Sequence, residues 1–169
     1  MIKKQQLLSK AIQMATIAHS NQYDKGGVPY ILHPLQVMKK LDSIDDHHDE
    51  ELDCIAVLHD VVEDTTIKIV DLYSAGFTHR IVNAVDILTK KKEQPYSEYK
   101  KNILLNKDSM LVKYYDLEHN LDSTRLPAHL KATQNYLDRT EKYRQFQEEI
   151  INTLSNSLCG TAESGERLV

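Results

Sequence analysis

A chain of 169 residues, 41% apolar and 27% charged, has the length of one domain with one core rather than two. A net charge of -4, from 21 basic and 25 acidic residues, lacks the strongly basic surface of a non-specific nucleic-acid binder, so no polymeric DNA or RNA partner is expected. Five Gly and four Pro supply too few turns for a sandwich or barrel, and helices are left as the natural building block.

The N-terminal stretch Met1 to Gln6 has neither the apolar run nor the small-residue cleavage site of a secretory signal, and a cytoplasmic protein is expected. Leu7, Leu8, Ala11, Met14, Ala15 and Ala18 then recur at helical steps and predict an amphipathic helix from about Lys4 to Asn21. Gly26, Gly27, Pro29 and Pro34 crowd the next segment into a shaped loop, and Pro34 suits the first turn of a second helix carrying Leu35, Val37, Met38 and Leu41. After a polar loop, Asp42 to Asp49, the residues Leu52, Ile55, Ala56, Leu58, Val61 and Val62 predict one helix central to the core. A short helix over about Ile67 to Ala75 should stop at Gly76, and Thr78 should cap the next, with Ile81, Ala84, Val85 and Leu88 inward.

The basic run Lys90, Lys91 and Lys92 reads as a solvated helix terminus in preference to the alternative, a phosphate site. Pro95 opens a helix to about Leu105, Asp108 or Ser109 caps another, and Pro127 begins the longest, to about Leu154. The tail lacks periodicity, so a domain over 1–157 with an unstructured 158–169 is expected. The fold class is therefore all-α, a single-domain bundle of about eight helices, with no stretch of about 18 apolar residues to span a membrane. Cys54 and Cys159 cannot form a disulfide framework, and Cys54 reads as a buried thiol.

Chemistry concentrates in LHDVVEDT, where His59, Asp60, Glu63 and Asp64 interrupt an apolar segment. On a helix, spacings of three and four would crowd all four onto one broad face, where a cation would offset their repulsion. A His-Asp pair alone means little, since His48-Asp49 is a second one, but the pattern extended by Glu and Asp has roughly 0.004 expected chance occurrences at this composition. His59 and Asp60 supply two metal ligands, and a closed site needs more from elsewhere. His33, where the Gly- and Pro-rich loop enters a helix, and Asp116, in VKYYDLEHN, are the candidates.

Three blocks, AHSNQYDKGGVPYILHP (18–34), AVLHDVVEDT (56–65) and VKYYDLEHN (112–120), appear in the order and with the separations of a known family. Through them the chain resembles the HD-domain phosphohydrolases of the RelA/SpoT hydrolase type, especially the small stand-alone members, over roughly residues 8–126. The resemblance implies an HD-type helical bundle holding one Mn²⁺ on His33, His59, Asp60 and Asp116, with Glu63 and Asp64 catalytic. The ligand types alone are compatible with Mn²⁺, Fe²⁺, Co²⁺, Ni²⁺ or Zn²⁺. It further implies a nucleotide substrate, (p)ppGpp above all, hydrolysed by metal-activated water to release the 3′ diphosphate. An alternative is a phosphatase or phosphodiesterase acting on another nucleotide such as NADPH, and a third is a non-catalytic nucleotide-binding protein.

Lys25, Asn120 and Arg125 fall at positions implied to be near the nucleotide, Arg125 reaching phosphate or pairing with an acidic neighbour, and Asn120 alternatively supporting Asp116. Tyr30 is expected in the core in preference to the pocket, His119 is expected to support the fold, and His19 to support either the fold or the metal ligands. The larger bifunctional relatives usually carry Arg just before the Lys, near the guanine base, where this chain has Asp24. A synthetase domain has no room in 169 residues, so no synthase activity is expected.

Overall fold

The computed structural model describes residues 5–42 and 49–162. These form helices α1 (Gln5–Ala18), α2 (Leu32–Asp42), α3 (Glu50–Leu58), α4 (Val61–Asp64), α5 (Ile69–Ser74), α6 (His79–Leu88), α7 (Tyr96–Leu104), α8 (Lys107–Leu121), α9 (Ala128–Lys131) and α10 (Gln134–Ala162), with a 3-10 turn at Ser123–Arg125. The only extended pairing among the described residues is an isolated antiparallel bridge between Tyr23 and Pro29. The all-α expectation holds.

The centre of the bundle is α3. Cys54, Ile55, Ala56, Val57 and Leu58 lose all solvent exposure because α1, α2, α6 and α8 pack around this helix. Burying each large aliphatic side chain contributes about 1.5–3 kcal/mol. Its start is fixed by Asp49, whose carboxylate accepts the amides of Glu51 and Leu52, satisfying donors that a helix N-terminus leaves open. On the far side, α10 lays Phe146 and Ile150, both fully buried, against α7 and α8.

Several local signals act as predicted. Thr78 caps α6 by accepting the Ile81 amide. Gly76, at φ +87°, ends α5 in a left-handed turn, with the Phe77 amide reaching back to the Leu72 carbonyl. Pro34 lies in the first turn of α2. The cap of α8 is Asn106, which accepts the Ser109 amide, upstream of the expected Asp108 or Ser109.

Two predicted helices are divided. The central one breaks at His59 and Asp60, where Asp60 leaves regular helix geometry at φ -103°, ψ -6°, although the apolar pattern runs through the break. The last divides into α9 and α10, and α10 continues to Ala162, past the expected end near Leu154 and the boundary at 157. Gly160 costs a helix about 1 kcal/mol relative to Ala and does not by itself end one. Residues 163–169 of the expected tail, Lys4 of the first helix and residues 43–48 of the polar loop lie outside the described residues. No helix among the described residues is long and apolar enough to cross a membrane.

Candidate metal centre

Three separate parts of the chain bring the four predicted ligands together. His33 comes from the first turn of α2, His59 and Asp60 from the break between α3 and α4, and Asp116 from the middle of α8. Adjacent side chains on a regular helix point about 100° apart. The break at Asp60 removes that constraint, so the carboxylate turns back onto its neighbour and Asp60 Oδ2 lies 2.8 Å from His59 Nε2. His33 Nε2 is 3.0 Å from Asp116 Oδ1 and 3.5 Å from Asp60 Oδ2, and His59 Nε2 is 3.8 Å from Asp116 Oδ1.

Donors sharing one ion through bonds of about 2.1 Å stand about 3.0–3.4 Å apart, and these separations bracket that range. His59 Nε2 is buried and makes no hydrogen bond, despite its closeness to Asp60. Its other ring nitrogen is spent on the Ala56 carbonyl, at 2.7 Å, which leaves Nε2 facing the carboxylates. Three of the four residues, His33, His59 and Asp60, place one ligand atom each within 4.8 Å of one another. The residues present therefore fit a divalent metal.

The electrostatics point the same way. Burial opposes a charged His59, but the Asp60 and Asp116 carboxylates outweigh it and push its pKa up to about 9. Burial likewise opposes ionisation of Asp60, yet His59 pulls its pKa down to about 2. Asp116 is held well below the usual carboxylate range against its own burial, chiefly by Lys113. Two ionised carboxylates in a largely buried site need positive charge nearby.

The surrounding polar contacts orient the ligands. Asp116 accepts Lys113 Nζ on Oδ2 at 2.7 Å and Asn120 Nδ2 on Oδ1 at 2.5 Å. Tyr30 is not a core residue: its hydroxyl donates to Asp60 Oδ2 at 2.6 Å and also contacts Asp64 Oδ2 at 3.3 Å. The apolar pattern around Tyr30 hid this, because the contact is to residues thirty and more positions away. Lys113 was missed too, although its i, i+3 spacing to Asp116 offered a signal.

Glu63 and Asp64 stand at the water-facing edge. Glu63 accepts the Lys90 amide on Oε2 at 2.8 Å, so the first residue of the basic run belongs to this site rather than to a purely solvated terminus. Burial, followed by the Asp60 charge, raises the pKa of both Glu63 and Asp64, although the Lys90 amide counteracts the rise at Glu63. Glu63, Lys90 and Lys113 line a cavity of about 280 Å³ that also reaches His59, Asp60 and Asp116.

On the other side of His33 a second cavity, of about 240 Å³, is walled by Tyr23, Lys25, Asn120, Arg125 and Arg139. Tyr30 and Asn120 border both cavities. The loop forming this wall is shaped by Asp24, whose Oδ1 accepts the amides of Gly26 and Val28 at 2.9 Å each. Gly27 turns the loop at φ +81°, and a side chain on Gly26 would lie 2.5 Å from the Arg125 carbonyl oxygen. Asp24 Oδ2 accepts Arg125 Nη2 at 2.6 Å, so Arg125 pairs with an acidic neighbour, one of the two options left open by the sequence. Arg139 packs its guanidinium between Tyr136 and Tyr143, 5.8 and 5.9 Å from the ring centres, and it was missed in the sequence.

No protein-family model matches the chain. Among curated proteins it is 34% identical over 125 residues to GTP pyrophosphokinase rsh of Brucella abortus, covering 68% of this chain and 16% of that protein. It is 30% identical over 123 residues to guanosine-3′,5′-bis(diphosphate) 3′-pyrophosphohydrolase of Aquifex aeolicus, covering 70% and 17%. The enzyme of that name from Haemophilus influenzae is 33% identical over 119 residues, covering 64% and 17%. The chain thus spans about a sixth of the length of these relatives. Among solved structures, a metazoan ortholog of SpoT, described as hydrolysing ppGpp and acting in starvation responses, superposes with a TM-score of 0.70 at 25% identity, covering 88% of this chain and 85% of that one. Alike in sequence to the bacterial enzymes and in fold to the metazoan structure, the chain is an HD-type, RelA/SpoT hydrolase-like protein.

Proposed function

We propose that the chain is a cytoplasmic, metal-dependent phosphohydrolase that uses Mn²⁺ and releases the 3′ diphosphate from (p)ppGpp. The observation that carries this reading is the convergence of two imidazole nitrogens and two carboxylates at separations of 2.8–3.8 Å, one of the two nitrogens, His59 Nε2, buried without a hydrogen bond. The nucleotide is taken from the relatives, whose names specify guanosine-3′,5′-bis(diphosphate).

His33, His59, Asp60 and Asp116 would hold the ion. When bound, it supplies Lewis acidity and lowers the pKa of a coordinated water from 15.7 towards about 7. Glu63, fixed through Oε2 by the Lys90 amide, uses its carboxylate to orient the attacking water and accept its proton. Asp64, held by the Tyr30 hydroxyl, passes a proton to the ribose 3′ oxygen as its bond to phosphorus breaks. Positioned acid and base groups of this kind contribute about 10² to 10⁴ in rate. Lys90 and Lys113 place positive charge beside the reacting phosphate, in the cavity with Glu63. Lys25 and Asn120 contact the nucleotide from the second cavity, and Arg125 adds its charge to that wall.

A second reading keeps the metal and the carboxylates but changes the nucleotide, NADPH being one example. Asp24 favours it: an anion stands where larger relatives carry a cation near the base, and its oxygens are taken by Gly26, Val28 and Arg125. Incubation of the purified protein with Mn²⁺ and a panel containing ppGpp and NADPH, with products identified, tests both. Pyrophosphate released from ppGpp supports the first reading. Turnover confined to another nucleotide supports the second, and tight binding without turnover overturns both in favour of a binding protein.

A further inference from the structure

The proposed metal centre requires His33 to present an unprotonated Nε2, and the structure contains a device that places the ring proton on the opposite nitrogen. His33 Nδ1 lies 2.6 Å from His119 Nδ1, with the two ring planes 26° apart and 4.9 Å between centres, so the rings meet edge to edge. Two neutral imidazole nitrogens at that distance need one proton between them, and either ring could carry it. Arg125 removes the ambiguity. Its Nη1 lies 2.9 Å from the same His119 Nδ1 and 3.1 Å from the His119 carbonyl oxygen. A guanidinium donates and never accepts, so His119 Nδ1 must offer its lone pair. The proton of the short contact therefore sits on His33 Nδ1.

We infer that Arg125 and His119 form a tautomer lock that sets His33 as an Nε2 donor to the metal. Arg125 is itself held by Asp24, whose other oxygen shapes the loop at Gly26 and Val28. The loop that walls the second cavity and His33 in the first turn of α2 are thus parts of one hydrogen-bonded chain. Arg125 and His119 are positioning residues, acting through His33.

The inference rests on the metal reading for its purpose, but its geometry is tested without metal or substrate. In ¹H–¹⁵N spectra of the imidazoles of the metal-free wild-type protein, His33 Nδ1 is expected to be protonated and His119 Nδ1 unprotonated. Arg125→Ala should mix the tautomers at both rings and weaken Zn²⁺ binding about 10- to 100-fold by titration calorimetry, the range for lost outer hydrogen bonds to metal ligands. Zn²⁺ serves as the probe because it is diamagnetic. Should Arg125→Ala not fold, His119→Phe against His119→Asn decides. Phe removes the acceptor and should lose the same affinity, whereas Asn keeps an acceptor oxygen near the Nδ1 position and should restore most of it.

An unprotonated His33 Nδ1 in the wild type overturns the inference, as does unchanged tautomer and affinity in Arg125→Ala. Equal loss in both His119 variants also overturns it, since that would mark a merely structural contact. A wild type with the expected tautomers that takes up neither Zn²⁺ nor Mn²⁺ sinks the metal reading and leaves the lock supported.

Discussion

Replacing Tyr30 by Phe removes one oxygen and keeps the ring that packs against His19 and His33 at 4.9 and 5.6 Å. The lost hydroxyl makes a 2.6 Å hydrogen bond to Asp60 and a longer one to Asp64. Outer hydrogen bonds to a metal ligand are worth about 10- to 100-fold in affinity. Asp60 keeps a fifth of its side chain exposed, so water replaces part of the lost donor, and the lower end applies: about tenfold, or about 1.4 kcal/mol. Calorimetric titration of metal-free wild type and Tyr30→Phe with Mn²⁺ should show that difference, with urea unfolding changed by no more than about 1 kcal/mol. Turnover should stay depressed even at saturating Mn²⁺, because Asp64 loses a contact that added metal does not restore. Equal affinities within about twofold, together with wild-type turnover, would refute the assignment of Tyr30 to the ligand network.

Other consequences are open to direct measurement. Because the carboxylates lift His59 to about 9, metal entry near neutral pH must displace its proton. Apparent affinity should therefore rise about tenfold per pH unit between pH 6.5 and 8, with about one proton released per ion in calorimetry across buffers of different ionisation enthalpy. Glu63→Gln and Asp64→Asn should each lower turnover about 10² to 10⁴-fold while metal content by elemental analysis is retained. Gly26→Ala forces a methyl group to within 2.5 Å of the Arg125 carbonyl oxygen, and about 1–3 kcal/mol of stability should be lost in urea unfolding. Chelation should lower the melting temperature without abolishing the helical signal. An ion at a hundred times its Kd contributes about 2.7 kcal/mol, equivalent to about 5–10 °C for a chain of this size.

What the sequence disclosed and what it hid divide along the range of the contacts involved. His59, Asp60, Glu63 and Asp64 were legible because four ionisable residues in an apolar segment violate its pattern, and Gly76 and Thr78 because turn and cap chemistry is local. His33 and Asp116 became convincing only as members of ordered blocks, since nothing within either block says that the two are neighbours. The break at Asp60 was invisible, because Val61 continues the buried stripe beyond it. Tyr30 and Lys90 gain their roles from partners far along the chain, where a tyrosine reads as core and a lysine as solvated surface. Among the missed residues, Lys113, one helical turn before Asp116, and Arg139, one turn from both Tyr136 and Tyr143, had local signals.

The same division explains why the site sits where it does. A regular helix cannot aim two adjacent side chains at one point, yet a ligand pair on consecutive residues must do so. The chain meets both demands by burying α3 on all sides and breaking it immediately after its last fully buried residue, Leu58. The apolar packing fixes where the break falls, and the break fixes where His59 and Asp60 point. Lys113, rising against its own burial beside Asp116, and His59, drawn towards protonation by the two carboxylates, then supply the positive charge the cluster needs before any ion arrives. A metal that displaces the His59 proton would exchange one compensating charge for another, with the surrounding core already formed. That is why its removal should cost affinity-linked stability rather than the fold.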